Sequence, residues 1–423
     1  MNLVVTLEYR FVRTPDGKVW TRTTFAHPFW QRYLEVFESV RVVARAHEVR
    51  DIGGDFKRVD GDLVSFVEVP FYVGPWQYLL NRRRVVWAVK SVVHPEDAVI
   101  MRVPSQLAIA LIPQLQRSRH PFGLEVVGDP YDVFAPGAVR HPLRPIFRWW
   151  FSRQLRWQCA HAIGAAYVTG HALQRRYPLN RDCLSFHYSN VEMTNKSFAP
   201  DHRCGVLSAH NSDAEMSRTS YEVESSPASR NKGSFKLVTV GSLEQLYKGT
   251  DVLIDAVARC VEDGFDVKLI IVGSGKHKSE LAARAAARGL GDRACFTGEL
   301  PAGDTIRQRL DEADLFVLAS RTEGIPRAMI EAMGRGLPCI GTAVGGIPEL
   351  LQTEDMVCPN DASALARKIS EVLTDPNRMI RMSKRNLAKA QEFREENLRE
   401  RRIKFYSHIK HITEEWQRMK GIV

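Results

Sequence analysis

The sequence predicts an α/β protein of two domains, each built around a parallel sheet. Short apolar runs alternate with longer amphipathic segments along both halves of the chain, which is the pattern of strands connected by helices. The 423 residues also exceed what one ordinary core holds, so we expect two domains of about 200 residues each. We divide the chain into a first domain at 1–200, a polar linker at 201–234, a second domain at 235–391 and a terminal segment at 392–423.

Five short apolar runs in the first half of the chain predict buried strands. They lie near residues 39–46, 63–69, 98–102, 123–128 and 162–168. The third run closes on Arg102, and the fourth closes on Gly128 and Asp129. Because ligands of parallel α/β sheets collect at the carboxyl ends of strands, Arg102 and Asp129 are candidates for contact with a substrate. For Asp129 the alternative is an ordinary turn, since a proline follows it.

Residues 144–157, RPIFRWWFSRQLRW, predict a helix that is dense in arginine and tryptophan. One half of this helix carries Ile146, Phe147, Trp150, Phe151, Leu155 and Trp157. The other half carries Arg148, Arg153 and Arg156 together with Trp149. We expect the apolar half to pack on the sheet. The arginine half is either a solvated face or a surface that binds anionic headgroups of a membrane.

The second half of the chain opens after a segment poor in apolar residues. Residues 201–233 are rich in Ser, Asn and Arg and predict a linker or mobile loop. A strand at 236–240 then leads into the turn from Gly241 to Gly249. A strand at 267–272 runs into Gly273, but the fingerprint Gly-x-Gly-x-x-Gly is not completed, so no NAD site is predicted.

The stretch from Arg321 to Leu350 sets two carboxylates, Glu323 and Glu331, around the start of a helix. Residues 315–318 predict a buried strand, and 326–335 predict a helix with proline in its first turn. Free N–H groups at a helix start favour a phosphate, and eight residues at helical rise span roughly 12 Å, about the reach from a ribose to a sugar beyond its diphosphate. The stretch therefore predicts a sugar-nucleotide site. The alternative is that Glu323 is a solvated turn residue and that Glu331 belongs to an ordinary helix face.

The carboxyl-terminal segment predicts an amphipathic helix. Its apolar residues repeat every three or four positions, at Phe405, Ile409, Ile412, Trp416 and Met419. Before it, residues 356–373 predict one more strand and helix.

The run EGIPRAMIEAMGRGLPCIGTAVGGIPELL, with residues 235–375 around it, resembles glycosyltransferase family 4. This resemblance implies a retaining enzyme of the GT-B fold, with two Rossmann-like domains that face a cleft and a terminal helix at 392–423 that crosses back to the first domain. It implies that Glu323 binds hydroxyls of the donor sugar and that Glu331 binds the ribose. It also implies no metal ion and no cofactor, since the UDP- or GDP-linked sugar is a substrate.

Two places depart from the family pattern. The turn from Gly241 to Gly249 resembles the family's phosphate-binding loop, in which an arginine and a lysine six residues apart hold the diphosphate. Lys248 matches the lysine, but Ser242 stands at the arginine position, so one cation is missing. The family's histidine near the transferred sugar is replaced by Gly128 and Asp129.

Together the residues and the resemblance give a predicted site. The donor-binding residues are Gly241, Ser242, Lys248, Gly273, Gly298, Glu323, Gly324, Ile325, Pro326, Arg327 and Glu331. Glu323, Lys248 and Asp129 are the predicted catalytic residues, and Arg102 and Asp129 are the predicted acceptor contacts.

Composition limits the class of protein. No uninterrupted apolar run approaches the roughly 20 residues that cross a bilayer, and the amino terminus lacks the pattern of a secretory leader. We therefore expect a cytoplasmic protein that can lie peripherally on the inner face of the cell membrane. Seven scattered cysteines without a Cys-x-x-Cys pair speak against a disulfide framework or structural zinc. A net charge of +10 suits nucleic acid, an acidic membrane surface or phosphorylated substrates.

The expected function is transfer of a sugar from a nucleotide donor to a saccharide or lipid-linked acceptor, in surface polysaccharide or glycolipid assembly. The alternative is a non-catalytic nucleotide-sugar-binding or scaffold protein of the same fold. A nucleic-acid binder is suggested by the isoelectric point alone and has no motif in its support.

Overall fold

A computed structural model of the protein describes residues 1–136, 141–199 and 234–422. The chain divides into two compact units. The first comprises Met1–Tyr131, Trp149–Tyr188 and Leu398–Val423, and the second comprises Asp132–Arg148 and Ser189–Asn397. The first unit thus ends earlier than residue 200 and takes in the end of the chain. The predicted linker at 201–234 lies outside the described residues except for Ser234.

The described part of the first unit contains one sheet. Its strands are β1 Asn2–Arg13, β2 Val19–Thr21, β3 Ser39–Glu48, β4 Lys57–Arg58, β5 Val64–Val69, β6 Ala98–Val103, β7 Gly123–Val126, β8 Gly164–Tyr167 and β9 Leu184–His187. The parallel strands follow the order β5-β3-β1-β6-β7-β8-β9, and β2 and β4 extend the end of β1 in antiparallel pairing. After β1 the chain forms β3 and β5 on one side of β1, and then β6 on the other side of β1. The strand order therefore reverses between β1 and β6.

Helices connect these strands. They are α1 His27–Gln31, α2 Gly74–Lys90, α3 Gln106–Ser118, α4 Pro130–Val133, α5 Arg144–His161 and α6 Ala172–Arg176. From β5 to β8 the chain always advances in the same direction across the sheet, so right-handed crossovers place α2, α3 and α5 on one face. Val85 of α2, Leu111 of α3 and Leu155 of α5 share one buried cluster, as this arrangement requires.

The orientation of α5 differs from its prediction. The buried side chains are Ser152, Leu155, Gln158 and Cys159. Ile146, Trp150 and Trp157, which were expected to pack on the sheet, are 58%, 44% and 37% exposed. The expectation was wrong for these three residues, because at about 100° per residue they lie on the far side of the helix from Leu155, which belongs to the buried cluster.

The second unit is a second α/β layer structure. Its elements are β10 Phe235–Val240, α7 Thr250–Glu262, β11 Val267–Val272, α8 Lys278–Ala287, β12 Ala294–Gly298, α9 Asp304–Asp311, β13 Leu315–Leu318, α10 Arg327–Gly334, β14 Cys339–Thr342, β15 Met356–Val357, α11 Ala362–Leu373 and α12 Pro376–Ala390. All paired strands are parallel, in the order β12-β11-β10-β13-β14-β15. The strand order reverses between β10 and β13, where ligands of such sheets bind.

The last helix, α13 Glu395–Lys420, packs from Leu398 onward within the first unit. Phe405, Tyr406 and Ile409 are fully buried, and the Tyr406 ring lies 4.6 Å from the ring of Tyr33. Met419, on the same predicted stripe, is 79% exposed, so burial ends before the helix does. The predicted α/β class, with two mainly parallel sheets and a helix that returns to the first domain, is confirmed.

Candidate active site

The candidate site of the second unit lies at the carboxyl ends of β10 and β13, where the strand order reverses. β10 leads into the loop from Gly241 to Gly249, and β13 leads into residues 319–326 before α10. Because β10 and β13 are parallel neighbours, with Leu237 paired to Leu315, both loops leave the same edge of the sheet. The predicted donor residues on these loops are therefore brought together.

Lys248 and Glu323 form an ion pair in this site. The Lys248 ammonium Nζ donates to Glu323 Oε1 at 2.7 Å, and the Ser320 hydroxyl donates to the same oxygen at 2.7 Å. The Glu323 side chain is only 7% exposed and that of Lys248 is 18% exposed. The reading of Glu323 as a solvated turn residue is thus wrong. The two residues predicted for sugar and phosphate lie within contact of each other.

Two glycines allow the loops to come this close. A Cβ atom at Gly249, where φ is +66°, would lie 1.9 Å from the carbonyl oxygen of Ala319. A Cβ atom at Gly345, where φ is +52°, would lie 1.8 Å from the carbonyl oxygen of Glu323. Any other residue at either position would push back the backbone that carries Glu323. Sequence reasoning assigned no role to Gly345, although it lies in the quoted motif.

Arg321 ties the two loops together. Its guanidinium makes two hydrogen bonds to Asp251, at 2.8 and 2.7 Å, and a third to the carbonyl of Leu246. Its backbone N–H donates to the carbonyl of Tyr247 at 2.7 Å. Burial would raise the pKa of Asp251, but the hydrogen bonds and charge of Arg321 lower it below its ordinary value. Arg321 therefore fixes the loop that presents Lys248, a role that the sequence did not reveal.

The phosphate-binding loop is also held from its other side. Leu243 donates its backbone N–H to the carbonyl of Ser274 at 2.9 Å. A Cβ atom at Gly273 would lie 1.9 Å from the carbonyl oxygen of Gly241, and the Gly273 N–H donates to the carbonyl of Gly298 at 2.9 Å. The predicted residues Gly241, Gly273 and Gly298 thus lie side by side along this edge.

Ser242 is exposed and serves its own loop. Its hydroxyl accepts a hydrogen bond from the backbone N–H of Glu244 at 3.2 Å. The hydroxyl therefore stabilises a turn, and it brings no charge to a diphosphate. A further basic residue, Arg327, is exposed and opens α10, the helix that follows the Glu323 loop.

We expect Ser242→Arg to give no gain in donor affinity, because Arg327, which opens the helix after the Glu323 loop, supplies a second cation to the diphosphate. Donor affinity and turnover of this variant would be measured beside the parent and beside Ser242→Ala, which removes the turn hydroxyl without adding charge. Tighter donor binding by about tenfold, or about 1.4 kcal/mol, together with faster turnover, would contradict compensation by Arg327.

Glu331, on α10, carries a carboxylate without a protein partner among the residues that the structure describes. Among residues 1–136, 141–199 and 234–422 its side chain has no hydrogen-bond or ion-pair partner. Burial raises the pKa of Glu331; the charges of Arg327 and Arg307 oppose this rise, and that of Glu192 adds to it. A partly buried carboxylate without a partner is available for the hydroxyls of a ligand. The helix that carries it, α10, begins at Arg327, one residue after the predicted proline start.

Glu331→Gln is expected to stabilise the free protein at neutral pH and to weaken nucleoside binding. The pKa of Glu331 is higher in the folded state than in the unfolded state, so its ionisation costs stability at neutral pH. That cost vanishes as the pH falls through the raised pKa toward the ordinary value of 4.5. Unfolding curves across this range should show the stability advantage of the variant shrinking in acid. Calorimetry should show nucleoside binding weaker by about tenfold.

A variant that is less stable than the parent at neutral pH would contradict this account of Glu331. Glu349→Gln, a change of the same kind in the same unit, is the matched control and should leave nucleoside binding unchanged.

The two predicted acceptor residues lie in the first unit and are bonded there. Arg102, inside β6, is 4% exposed, pairs with Glu125 and donates to the Tyr33 hydroxyl at 3.4 Å. Asp129 is 6% exposed and accepts hydrogen bonds from the Tyr177 hydroxyl at 2.5 Å and from the guanidinium of Arg176. Contact with a substrate would require these bonds to open. The geometry favours the alternative of a turn residue for Asp129.

Comparisons with known proteins show sequence and structural similarities. Residues 234–375 match the sequence model of the family "Glycosyl transferases group 1". This match spans the stretch on which the predicted resemblance rests, and it confirms that resemblance. Nearly the whole chain is similar to Protein CapJ of Staphylococcus aureus, with 24% identity over 399 residues, 94% of this chain and 93% of that protein.

Other similarities are shorter or structural. The putative colanic acid biosynthesis glycosyltransferase WcaL of Escherichia coli K12 is 32% identical over 165 residues, which are 37% of this chain and 39% of WcaL. HepE of Anabaena, solved in complex with UDP-glucose, is 16% identical with a TM-score of 0.61 over 98% of this chain and 100% of its own. Sucrose-phosphate synthase of Thermosynechococcus elongatus is 17% identical with a TM-score of 0.62 over all of both chains. The structural likenesses show a GT-B fold.

Proposed function

Because residues 234–375 form a domain of the glycosyl transferases group 1 family, we propose that the protein is a retaining glycosyltransferase. It moves a sugar from a nucleoside-diphosphate donor to a saccharide or lipid-linked acceptor. The observation that carries the proposal is the pair of Lys248 and Glu323, whose charged atoms meet at 2.7 Å where the strand order of the second sheet reverses. A cation for phosphate and a carboxylate for sugar hydroxyls are held side by side.

Arrival of the donor exchanges the partners of this pair. Lys248 turns from Glu323 to the diphosphate, where its charge stabilises the negative charge that develops as this group leaves. Glu323 then accepts hydrogen bonds from hydroxyls of the sugar, and Glu331 accepts them from the ribose. Each charged group finds a new partner, so donor binding leaves no unpaired charge behind.

The chemical step follows from this position. The acceptor hydroxyl attacks the anomeric carbon as the bond to the diphosphate breaks, and a diphosphate oxygen takes the hydroxyl proton. The positive charge of Lys248 and the start of α10 at Arg327 serve the leaving group, so the proposed mechanism uses no metal ion. Retention of anomeric configuration is proposed from the family.

The donor and the acceptor are proposed by class. The UDP-glucose in the HepE structure supports a UDP-linked donor, and a GDP-linked donor is proposed from the family. The name of WcaL supports a role in assembly of a polysaccharide. None of the helices within residues 1–136, 141–199 and 234–422 is long and apolar enough to cross a bilayer. We place the protein at the inner face of the cell membrane, where residues 144–157 would meet anionic lipid. Trp149 on this helix is 61% exposed, and the Arg153 guanidinium lies 5.9 Å from its ring.

A panel of nucleotide sugars tests the proposal. A donor at 100 times its dissociation constant should stabilise the protein by about 2.7 kcal/mol, which thermal unfolding detects. The stabilising donor is then incubated with candidate acceptors, and release of free nucleoside diphosphate and the anomeric configuration of the product are measured. Inverted product would overturn retention.

A second candidate is a nucleotide-sugar-binding protein without catalysis, and the uncharged Ser242 favours it. It predicts stabilisation by the same donors without any release of nucleoside diphosphate. Turnover that is lost in Glu323→Gln would exclude it.

A further inference from the structure

Helix α2, Gly74–Lys90, presents a stripe of large apolar side chains to solvent. Trp76, Leu80 and Trp87 are 78%, 85% and 73% exposed. They recur at spacings of four and seven residues, so they share one side of the helix over roughly 16 Å. Val85 and Val89, on the opposite side, are fully buried in the core of the first unit. The helix therefore has two apolar sides, and the core uses only one of them.

The same helix is basic along its exposed side. Residues 74–90 include Arg82, Arg83, Arg84 and Lys90 and no acidic residue. Arg83 lies within the apolar stripe, between Leu80 and Trp87, and Arg84 flanks it. Within the described part of the chain, neither arginine has an ion-pair partner.

The acidic residue that lines the same groove does not neutralise this charge. Glu68 lines the same shallow groove as Arg83, Arg84 and Trp87, but its carboxylate accepts from the Arg13 guanidinium at 3.1 Å. The positive charge of the exposed side is thus left for an external anion.

We propose that α2 binds the surface of an anionic lipid bilayer. The indoles of Trp76 and Trp87 lie at the level of the headgroups with Leu80 below them, since tryptophan favours this boundary. The guanidinium groups of Arg83 and Arg84 reach lipid phosphates while their methylene stems cover apolar surface. This surface is distinct from residues 144–157 in sequence.

The chemistry of the stripe favours lipid over a protein partner. Three large side chains on one helix cover much less area than the roughly 800 Å² per partner that a stable protein interface buries. Unpaired arginines in the middle of the stripe would also be costly to bury without matching acids, whereas a bilayer offers phosphates at any position. The helix lies beside α3 on the same sheet face as α5, so it would extend a contact made by Trp149. The inference does not depend on transferase activity.

Vesicle binding tests the proposal. The full chain is floated with phosphatidylcholine vesicles and with vesicles that also contain phosphatidylglycerol, and it should bind only the second kind. The triple variant Trp76→Ala, Leu80→Ala, Trp87→Ala should bind at least about tenfold more weakly. Each of Arg83→Ala and Arg84→Ala should cost about fivefold at low salt and less at high salt.

Matched variants locate the contact. Leu184→Ala with Met419→Ala removes exposed apolar side chains elsewhere in the same unit and should leave binding unchanged. Trp76→Phe with Trp87→Phe should keep most of the binding but lose the part of the quenching of tryptophan fluorescence by brominated lipid that α2 contributes. Trp149→Phe with Trp150→Phe should keep the quenching that α2 contributes.

Three results would overturn the proposal. These are equal binding to neutral and anionic vesicles, equal loss in the Leu184 and Met419 control, and a lipid-independent dimer that the triple variant abolishes. Donor binding, measured by calorimetry on the triple variant, should match the parent. Vesicle binding without turnover on any donor would overturn the proposed function and leave this inference standing.

Discussion

Glu323→Gln is expected to lower sugar transfer about ten- to hundredfold while the protein still folds. A charged hydrogen bond to a sugar hydroxyl is worth about 1.5 to 3 kcal/mol, and the neutral amide gives up most of that value. The amide has the size of the carboxylate and can still accept from Ser320 and Lys248, which donate to Glu323 at 2.7 Å. The loss should therefore appear in turnover and only slightly in the free energy of unfolding.

Two comparison variants test the two members of the pair, Glu323 and Lys248, separately. Glu323→Ala leaves the Lys248 ammonium without its partner, so it should destabilise the protein as well as slow it. Lys248→Met should weaken binding of the nucleoside diphosphate more than binding of the bare nucleoside. Transfer at the parent rate by Glu323→Gln would remove Glu323 from the site.

The sequence predicted the strand and helix around Glu323 well, because the apolar run and the position of the proline there indicate the same boundaries. The predicted strand at 315–318 is β13, and the helix predicted at 326–335 is α10 at Arg327–Gly334. A short fully apolar run favours a buried strand, and a proline before a helix marks its start. Local chemistry was enough to place Glu323 before the helix and Glu331 within it.

Local sequence patterns could not predict contacts between residues that are far apart in the chain. Lys248 and Glu323 are 75 residues apart, and their contact depends on β10 and β13 being neighbours. The parallel register that sets Arg102 opposite Glu125 in β6 and β7 also cannot be read from either strand alone. Arg102 therefore looked like a free strand-end cation, although the fold gives it a buried partner.

Exposure was the other property that the sequence left open. Tryptophan and leucine are residue types that cores usually bury, yet Trp76 and Leu80 of α2 are 78% and 85% exposed. Strand β1, Asn2–Arg13, mixes charged and apolar residues and did not stand out as a strand, although it is central in its sheet. Which face of an element is covered depends on its neighbours, not on its own residues.

The first unit holds a buried charge cluster that ties its last helix to the sheet. The Glu125 carboxylate pairs with Arg102 and accepts from the hydroxyls of Tyr33 at 3.0 Å and Tyr188 at 2.7 Å. Tyr406, on α13, donates to it at 3.4 Å. Burial would raise the pKa of Glu125, but the charges of Arg102 and Arg32 and the tyrosine hydrogen bonds hold it below its ordinary value. The ionised carboxylate is therefore a stabilising part of the folded protein.

Glu125→Gln is expected to lower the free energy of unfolding by about 3 to 5 kcal/mol at neutral pH, because Arg102 is left buried without its counter-charge. The pKa of Glu125 is lower in the folded state, so its stabilisation is present above the ordinary value of 4.5 and is lost as the pH falls through the lowered pKa. Denaturant unfolding should therefore show the parent and the variant converging in acid. Tyr188→Phe removes one donor and should cost only about 1 kcal/mol. Equal stability of parent and Glu125→Gln at neutral pH would show that the charge of Glu125 does not stabilise the folded protein.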